Sequence, residues 1–316
     1  MRNAFVKRLI ELADSDPRIM LLTGDLGFGV FEEFAERFPK QFLNVGVAEQ
    51  NMIGLSTGLA LEGRIPFVYS LANFPTLRCL EQIRNDACYH DANVKIVCMG
   101  GGFSYGALGI SHHATEDLSI LRALPSITIV APGDDWESAE ATSSLAYTSG
   151  TCYLRLDKTS AGLTNESDEI FSVGKARKLR DGDDVTLIGI GGILKEILNA
   201  ANLLAEQGIE SRVLSLHTLK PIDSQAILDA AKNTGGIVTV EEQTIQGGLG
   251  GAIAEICLEN RCVPTQFYRI GLNDCFSSIV GSQEYLRSQY KMDAPQISQQ
   301  VLKLLNSRSF LNKEDI

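Results

Sequence analysis

Apolar residues in this chain fall into two alternating patterns. Short runs bounded by turn formers read as strands: Arg18–Leu22, Phe42–Val45, Pro66–Tyr69, Val94–Cys98, Ile127–Pro132 and Thr151–Leu156. Between them, helical periodicity predicts helices over 2–13, 30–38, 76–89, 116–123 and 134–148, with one more whose first turn holds Glu49. A polar stretch follows, and the alternation then resumes. Strands Val185–Ile190, Arg212–Leu216, Gly236–Val240 and Gln266–Ile270 are separated by helices near 193–207, 222–232, 248–258 and 295–306. Strands alternating with helices imply parallel sheets with right-handed crossovers. The expectation is an α/β protein of two parallel-sheet domains, residues 1–160 and 185–316, joined by a linker at 161–184 that includes a short β-excursion.

The segment Phe42–Leu61 concentrates the informative residues. Ala48, Met52, Leu55 and Leu59 recur as an apolar stripe of helical period. Gly54 and Gly58 interrupt the helix at about 1 kcal/mol each relative to alanine, which predicts close approach of another backbone. Glu49 stands in the first turn, where the helix dipole favours an ionised acid. On its own that position is satisfied by a capping role.

Composition narrows the partners. A net charge of −11 argues against nucleic acid and anionic membranes, although a local basic pocket remains compatible with a phosphorylated substrate. There is no signal-peptide pattern and no run of about 18 apolar residues. The seven cysteines are scattered without a C-x-x-C pair, so reduced, buried thiols, a cytoplasmic location and no zinc site are expected.

Two histidines of the chain's four are adjacent, in the glycine-rich loop Met99–Asp117. Few core residues surround them, so the loop is expected to be mobile and to present imidazole to a ligand. An unperturbed pKa near 6.5 suits such a group to proton transfer at neutral pH.

The phrase Asn44-Val-Gly-Val-Ala-Glu-Gln-Asn-Met52 resembles the G-[IV]-x-E-x-x-M segment of the pyrimidine-binding domain in thiamine diphosphate enzymes of the transketolase and deoxyxylulose-phosphate synthase branch. The resemblance implies that Glu49 hydrogen-bonds the aminopyrimidine ring of the cofactor and promotes its imino tautomer. It implies that Asp25 and Leu26, in Thr23-Gly-Asp-Leu-Gly27, approach the cofactor; for Asp25 alone, a turn residue bonding its own backbone is the alternative. Phe74 matches the aromatic residue that stacks on the pyrimidine, with Tyr69 as the other candidate, and Gln82 is counted with the cofactor-binding residues. Gly109-Ile-Ser-His-His-Ala-Thr-Glu116 is similar to the family's G-P-T-H-Q-x-x-E, which puts His112 beside the reacting carbonyl or hydroxyl, with His113 as acid–base group or oxyanion donor alongside it. Arg155 corresponds to an arginine that reaches a substrate phosphate, or it forms an edge salt bridge. Glu241–Glu255 looks like the E-E-x-x-x-x-G-G-[LF]-G segment of the family's C-terminal domain and reads as structural.

The G-D-G…N pattern with which this family holds the diphosphate and its Mg²⁺ is missing from the sequence. The resemblance therefore implies a pyrophosphate-binding domain on a separate polypeptide, an α₂β₂ heterotetramer of carbohydrate metabolism, and inactivity of this chain alone. Leu108 stands where sugar-phosphate transketolases carry an Asp that reads a substrate hydroxyl, and Gly100 near their upstream His. Phosphorylated, sulfonated, deoxygenated and nucleotide-linked sugars stay open as substrates. Decarboxylating relatives and a non-catalytic scaffold are the competing readings.

Overall fold

The computed structural model describes residues 1–71 and 73–311. Its strands are β1 (Ile19–Thr23), β2 (Phe42–Asn44), β3 (Ile65–Leu71), β4 (Lys95–Met99), β5 (Thr128–Val130), β6 (Cys152–Leu156), β7 (Arg177–Arg180), β8 (Val185–Ile190), β9 (Ser211–Ser215), β10 (Thr218–Lys220), β11 (Ile237–Thr244) and β12 (Phe267–Leu272). The helices are α1 (Arg2–Ser15), α2 (Glu32–Arg37), α3 (Glu49–Leu61), α4 (Leu80–Gln82), α5 (Asp117–Arg122), α6 (Asp135–Ala146), α7 (Leu194–Ala205), α8 (Ser224–Asn233), α9 (Leu249–Glu259), α10 (Gln283–Gln289) and α11 (Ala294–Leu311). The first sheet runs β10-β5-β6-β4-β3-β1-β2 and the second β12-β11-β8-β9-β7. All pairings are parallel except β10 with β5 and β7 with β9. The α/β architecture is as expected, with one qualification: β10 comes from the second half of the chain and extends the first sheet. Strands buried on both faces, such as β1, β4 and β6, read as continuous apolar runs.

Several local expectations are overturned. The helix expected over 76–89 is a series of turns, then the single turn of α4, then a π-helical segment Ile83–Cys88. Such wide turns gather at functional sites. On α3 the buried face is Glu49, Met52, Ile53, Ser56 and Thr57; of the expected stripe Met52 is buried and Leu59 packs partly against the core, while Leu55 faces outward. Burial of the two hydroxyls is allowed because Ser56 Oγ donates to the Met52 carbonyl at 2.7 Å and Thr57 Oγ1 to that of Ile53 at 3.0 Å. Among the described residues nothing outside the helix lies within 4 Å of where a Cβ at Gly58 would be. Cys275 is exposed, against the expectation of buried thiols, although all seven cysteines are free.

The glycine-rich loop is an interdomain wedge rather than a mobile flap. Phe103, His113 and Ala114 are buried, and Gly102 and Ala114 exchange backbone hydrogen bonds at 2.9 Å. A Cβ at Gly101 would lie 1.8 Å from Arg155 Nε, and one at Gly102, where φ is +57°, 2.6 Å from the Glu242 side chain. These glycines let the backbone cross buried ion pairs. Glu242 ties the loop to the second domain, accepting from Phe103 N–H at 2.6 Å and Arg287 Nε at 2.6 Å. Its neighbour Glu241 accepts from the N–H groups of Leu249 and Gly250 at the start of α9, the structural role expected for that motif.

Candidate active site

The candidate residues converge at the carboxyl ends of β1, β3 and β4, where ligands of open parallel sheets bind. The β1 and β2 ends are knotted by one side chain. Asn44 Oδ1 accepts from Asp25 N–H at 2.9 Å and Gly46 N–H at 3.0 Å, while its amide donates to Asp25 Oδ1 at 3.2 Å. That network holds Asp25 at a left-handed φ of 56°. Thr23 Oγ1 donates to the Leu26 carbonyl at 2.9 Å. A Cβ at Gly24 would meet the Gly46 carbonyl at 3.2 Å and Glu49 Oε1 at 3.8 Å, so the Asp25–Leu26 turn lies against the Glu49 carboxylate.

Glu49 opens α3 and is 3% exposed. Its Oε2 accepts from Arg78 Nη1 at 2.9 Å. The Arg78 guanidinium in turn covers the Phe74 ring at 4.7 Å. Phe74 meets the His112 ring edge-on at 5.2 Å between centroids. Carboxylate, aromatic ring and imidazole are thus linked across one half-open surface. Tyr69 is not part of it: it is buried in the core against Phe5 and Phe31. Three buried polar atoms of the β3–α4 segment, Ser70 Oγ, Asn73 Oδ1 and Gln82 Oε1, have no partner among the described residues. Unsatisfied buried acceptors are costly, and several in one segment fit a site that a polar ligand completes.

The two histidines separate. His112 is half-buried, and burial together with the adjacent His113 ring holds its imidazolium below the ordinary value. His113 is buried, with Nε2 3.1 Å from the Gly106 carbonyl and its ring edge-on to Phe103 at 5.1 Å. It packs the loop instead of facing the surface.

Arg155 is not brought to the surface either. It is 2% exposed, 3.3 Å from Asp117 and 3.5 Å from Asp157, on a strand inside the sheet rather than at an edge. Two cations that sequence reasoning missed are better placed. Arg2 and Lys158 line a cavity of about 480 Å³ together with Tyr105. Lys158 Nζ sits 3.8 Å over the Tyr105 ring, and that ring lies 6.3 Å from His112 between centroids. Neither cation forms an ion pair among the described residues, and burial and the Arg2 charge both press the Lys158 ammonium below its ordinary value. The carboxylates in the same cavity are engaged: Asp135 with the chain amine and Ser160, Asp157 with Arg155 and the Gly192 N–H. Arg2 and Lys158 thus bring two cations with no carboxylate partner of their own, among the described residues, into one cavity. Lys158 was legible only as the first basic residue past β6, a weak signal.

An ionisable acid at a buried helix start, an aromatic ring and an imidazole thus meet at the carboxyl ends of a parallel sheet. Sequence relationships identify the family. The Transketolase, pyrimidine binding domain model matches residues 1–162 and the Transketolase, C-terminal domain model residues 174–297. The chain belongs to the transketolase family. It is 37% identical over 311 residues, 98% of this chain and 96% of the relative, to the 6-deoxy-6-sulfo-D-fructose transketolase subunit SqwH of Clostridium sp. strain MSTE9. It is 36% identical over 306 residues, 96% of this chain and 97% of the relative, to an apulose-4-phosphate transketolase subunit of Phocaeicola vulgatus. Among solved structures it superposes with a TM-score of 0.88 at 35% identity on a split gene transketolase, an inactive beta4 tetramer, covering 96% of this chain and 98% of that one. It is a transketolase-like subunit of the split type.

Proposed function

We propose that this chain is the pyrimidine-domain subunit of a two-chain transketolase, transferring a two-carbon ketol unit from a ketose carrying an anionic group to an aldehyde. The observation that carries the proposal is the buried Glu49 carboxylate at the start of α3, linked through Arg78 and Phe74 to the His112 imidazole. The family implies thiamine diphosphate, which supplies the electron sink that lets a carbon–carbon bond next to a carbonyl break and re-form.

The residues present fit that group. Glu49 would hold the aminopyrimidine ring nitrogen, exchanging its bond to Arg78, which is nearly half exposed and free to swing into water. Phe74 would stack on the ring, the unpartnered Gln82 Oε1 would accept from a polar edge, and Asp25 with Leu26 would close the near side. His112 takes and returns the proton of the substrate hydroxyl, a role that needs the imidazole unprotonated at rest. His113 supports the loop from below. Arg2 and Lys158 take the acidic end of the sugar, in place of Arg155. The sulfonated and phosphorylated sugars in the names of the two relatives support a substrate of this charge. Diphosphate and Mg²⁺ are assigned to the partner subunit, in an α₂β₂ assembly.

The test is co-expression with a pyrophosphate-domain subunit from the same gene neighbourhood, followed by calorimetric titration of thiamine diphosphate with Mg²⁺. Saturable binding by the pair, absent for this chain alone, is the expected result. No binding by either preparation refutes the proposal.

A further inference from the structure

Lys95 and Cys152 stand opposite each other at the start of the adjacent strands β4 and β6. Both are buried, each 1% exposed. A lysine inside a sheet needs acceptors for three N–H groups. Lys95 Nζ donates to the Thr148 carbonyl at 2.6 Å, to the Gly150 carbonyl at 3.0 Å and to Cys152 Sγ at 3.3 Å. It forms no ion pair among the described residues, so of the atoms it touches only the sulfur can carry a counter-charge. Burial holds the Lys95 ammonium below its ordinary value and pushes the Cys152 thiol up, and each group partly offsets the effect on the other. Moving one proton between nitrogen and sulfur interconverts an ammonium–thiolate pair and an amine–thiol pair. Both are neutral overall, which suits a buried position.

The pair lies one turn from solvent. Thr148, which accepts from Lys95, is half-buried between the exposed Tyr147 and Ser149. Buried thiols are ordinarily inert, and a neighbouring ammonium is what makes a thiolate accessible. Among the described residues no other cysteine has an ammonium hydrogen-bonded to its sulfur; Cys79 and Cys262, for example, have only the carbonyls of Phe74 and Leu228.

We propose that Lys95 and Cys152 are an oxidative modification site, at which hydrogen peroxide drives formation of a sulfenamide bond between Nζ and Sγ. The thiolate sulfur attacks one peroxide oxygen. The S–O bond forms, the O–O bond breaks, and the departing hydroxide takes a proton from the Lys95 ammonium to leave as water. A sulfenic acid then stands beside a neutral amine. The amine nitrogen attacks sulfur, the S–O bond breaks, and the hydroxide removes a proton from nitrogen as a second water. Sulfur gives up two electrons and the peroxide takes them. A thiol reductant reverses the bond by attack on sulfur. The bridge lies at the amino ends of β4 and β6, whereas Glu49 and His112 gather at the carboxyl ends of the sheet, so it consumes no residue of the candidate site. None of this requires the ketol-transfer reading.

The experiment treats the full chain with hydrogen peroxide, alkylates the remaining thiols under denaturing conditions, and reads tryptic peptides by mass spectrometry. Exposed Cys275 is the internal reference for oxidation. Expected is a peptide pair joined between Lys95 and Cys152, lighter than the sum of its parts by two hydrogens and uncleaved after Lys95. Dithiothreitol added before alkylation should remove it. The bridge should be absent from Lys95→Met and from Cys152→Ser, the second of which keeps an acceptor for the lysine. Identification of the joined pair in the wild-type chain decides the matter even where a variant fails to fold. Cys152 still fully alkylated once Cys275 is oxidised overturns the site. So does Cys152 recovered as an unbridged sulfinic acid. A joined pair carrying one added oxygen overturns the direct nitrogen–sulfur bond. No outcome bears on thiamine diphosphate binding by the two-chain enzyme.

Discussion

Glu49→Gln separates a catalytic carboxylate from a structural one. The substitution keeps the size of the side chain and the start of α3, and removes the charge. What the fold loses is small. The Glu49–Arg78 bond at 2.9 Å joins a buried acid to a guanidinium that is 47% exposed, so solvent screening cuts its worth to about 1 kcal/mol. Loss of the favourable helix-dipole interaction adds about 0.3–1 kcal/mol, and the relief of burying a charge works in the opposite direction. Net destabilisation should stay within about 1 kcal/mol, or about 2–4 °C in melting temperature. The activity loss should be much larger. A positioned acid–base group contributes roughly 10²–10⁴-fold, and a glutamine cannot share a proton with a ring nitrogen. The assay is ketol transfer by the reconstituted two-chain enzyme, with thermal melting of the same preparations. A Glu49→Gln enzyme within a few-fold of wild type would refute the role given to Glu49, as would a melting temperature lowered by more than about 10 °C.

Lys158→Ala should raise KM for an anionic sugar about 10–100-fold with a smaller change in kcat, because a charge-assisted hydrogen bond is worth about 1.5–3 kcal/mol; steady-state kinetics reads the split. Arg155→Ala should behave differently, destabilising the fold by about 3–5 kcal/mol by leaving Asp117 and Asp157 buried without their cation, measured by urea unfolding. Glu242→Ala leaves the Phe103 N–H without its acceptor and the buried Arg287 with only Glu196 at 3.6 Å and Thr159, so a loss toward the lower end of that range is expected together with faster hydrogen exchange across 101–114. Burial pushes the His217 imidazolium down to about 3. Its folded form is neutral while the unfolded form gains a proton below about 6.5, so this stability is complete above pH 6.5 and is lost as pH falls toward 3, at up to about 1.4 kcal/mol per pH unit. His217→Asn should flatten that part of the unfolding-versus-pH curve relative to wild type.

What could be read from the sequence follows from which forces are local. Buried parallel strands announce themselves as apolar runs, and a helix start with its acid announces itself through chain direction, so the alternating α/β order and the position of Glu49 were legible before any coordinates. Long-range contacts were not. Nothing in Gly100-Gly-Gly-Phe103 reveals that the loop must cross the Arg155–Asp157 pair and dock on Glu242, because each of those partners is remote in sequence. The adjacent histidines look equivalent as letters, yet a 3₁₀ turn ending at His112 leaves that ring half-exposed beside Phe74 and buries the next against Phe103. The stripe on α3 misled for a related reason: hydroxyls that bond their own helix carbonyls can occupy a buried face that hydropathy assigns to leucine. The exposed Leu55, Leu61 and uncontacted Gly58 that result are an apolar surface that the described residues do not cover. On the function proposed above, in which another chain completes the site, that chain would pack against this face. The same rotation of α3 that buries the Glu49 carboxylate turns this face outward, so the acid and the uncovered surface are two consequences of one helix orientation.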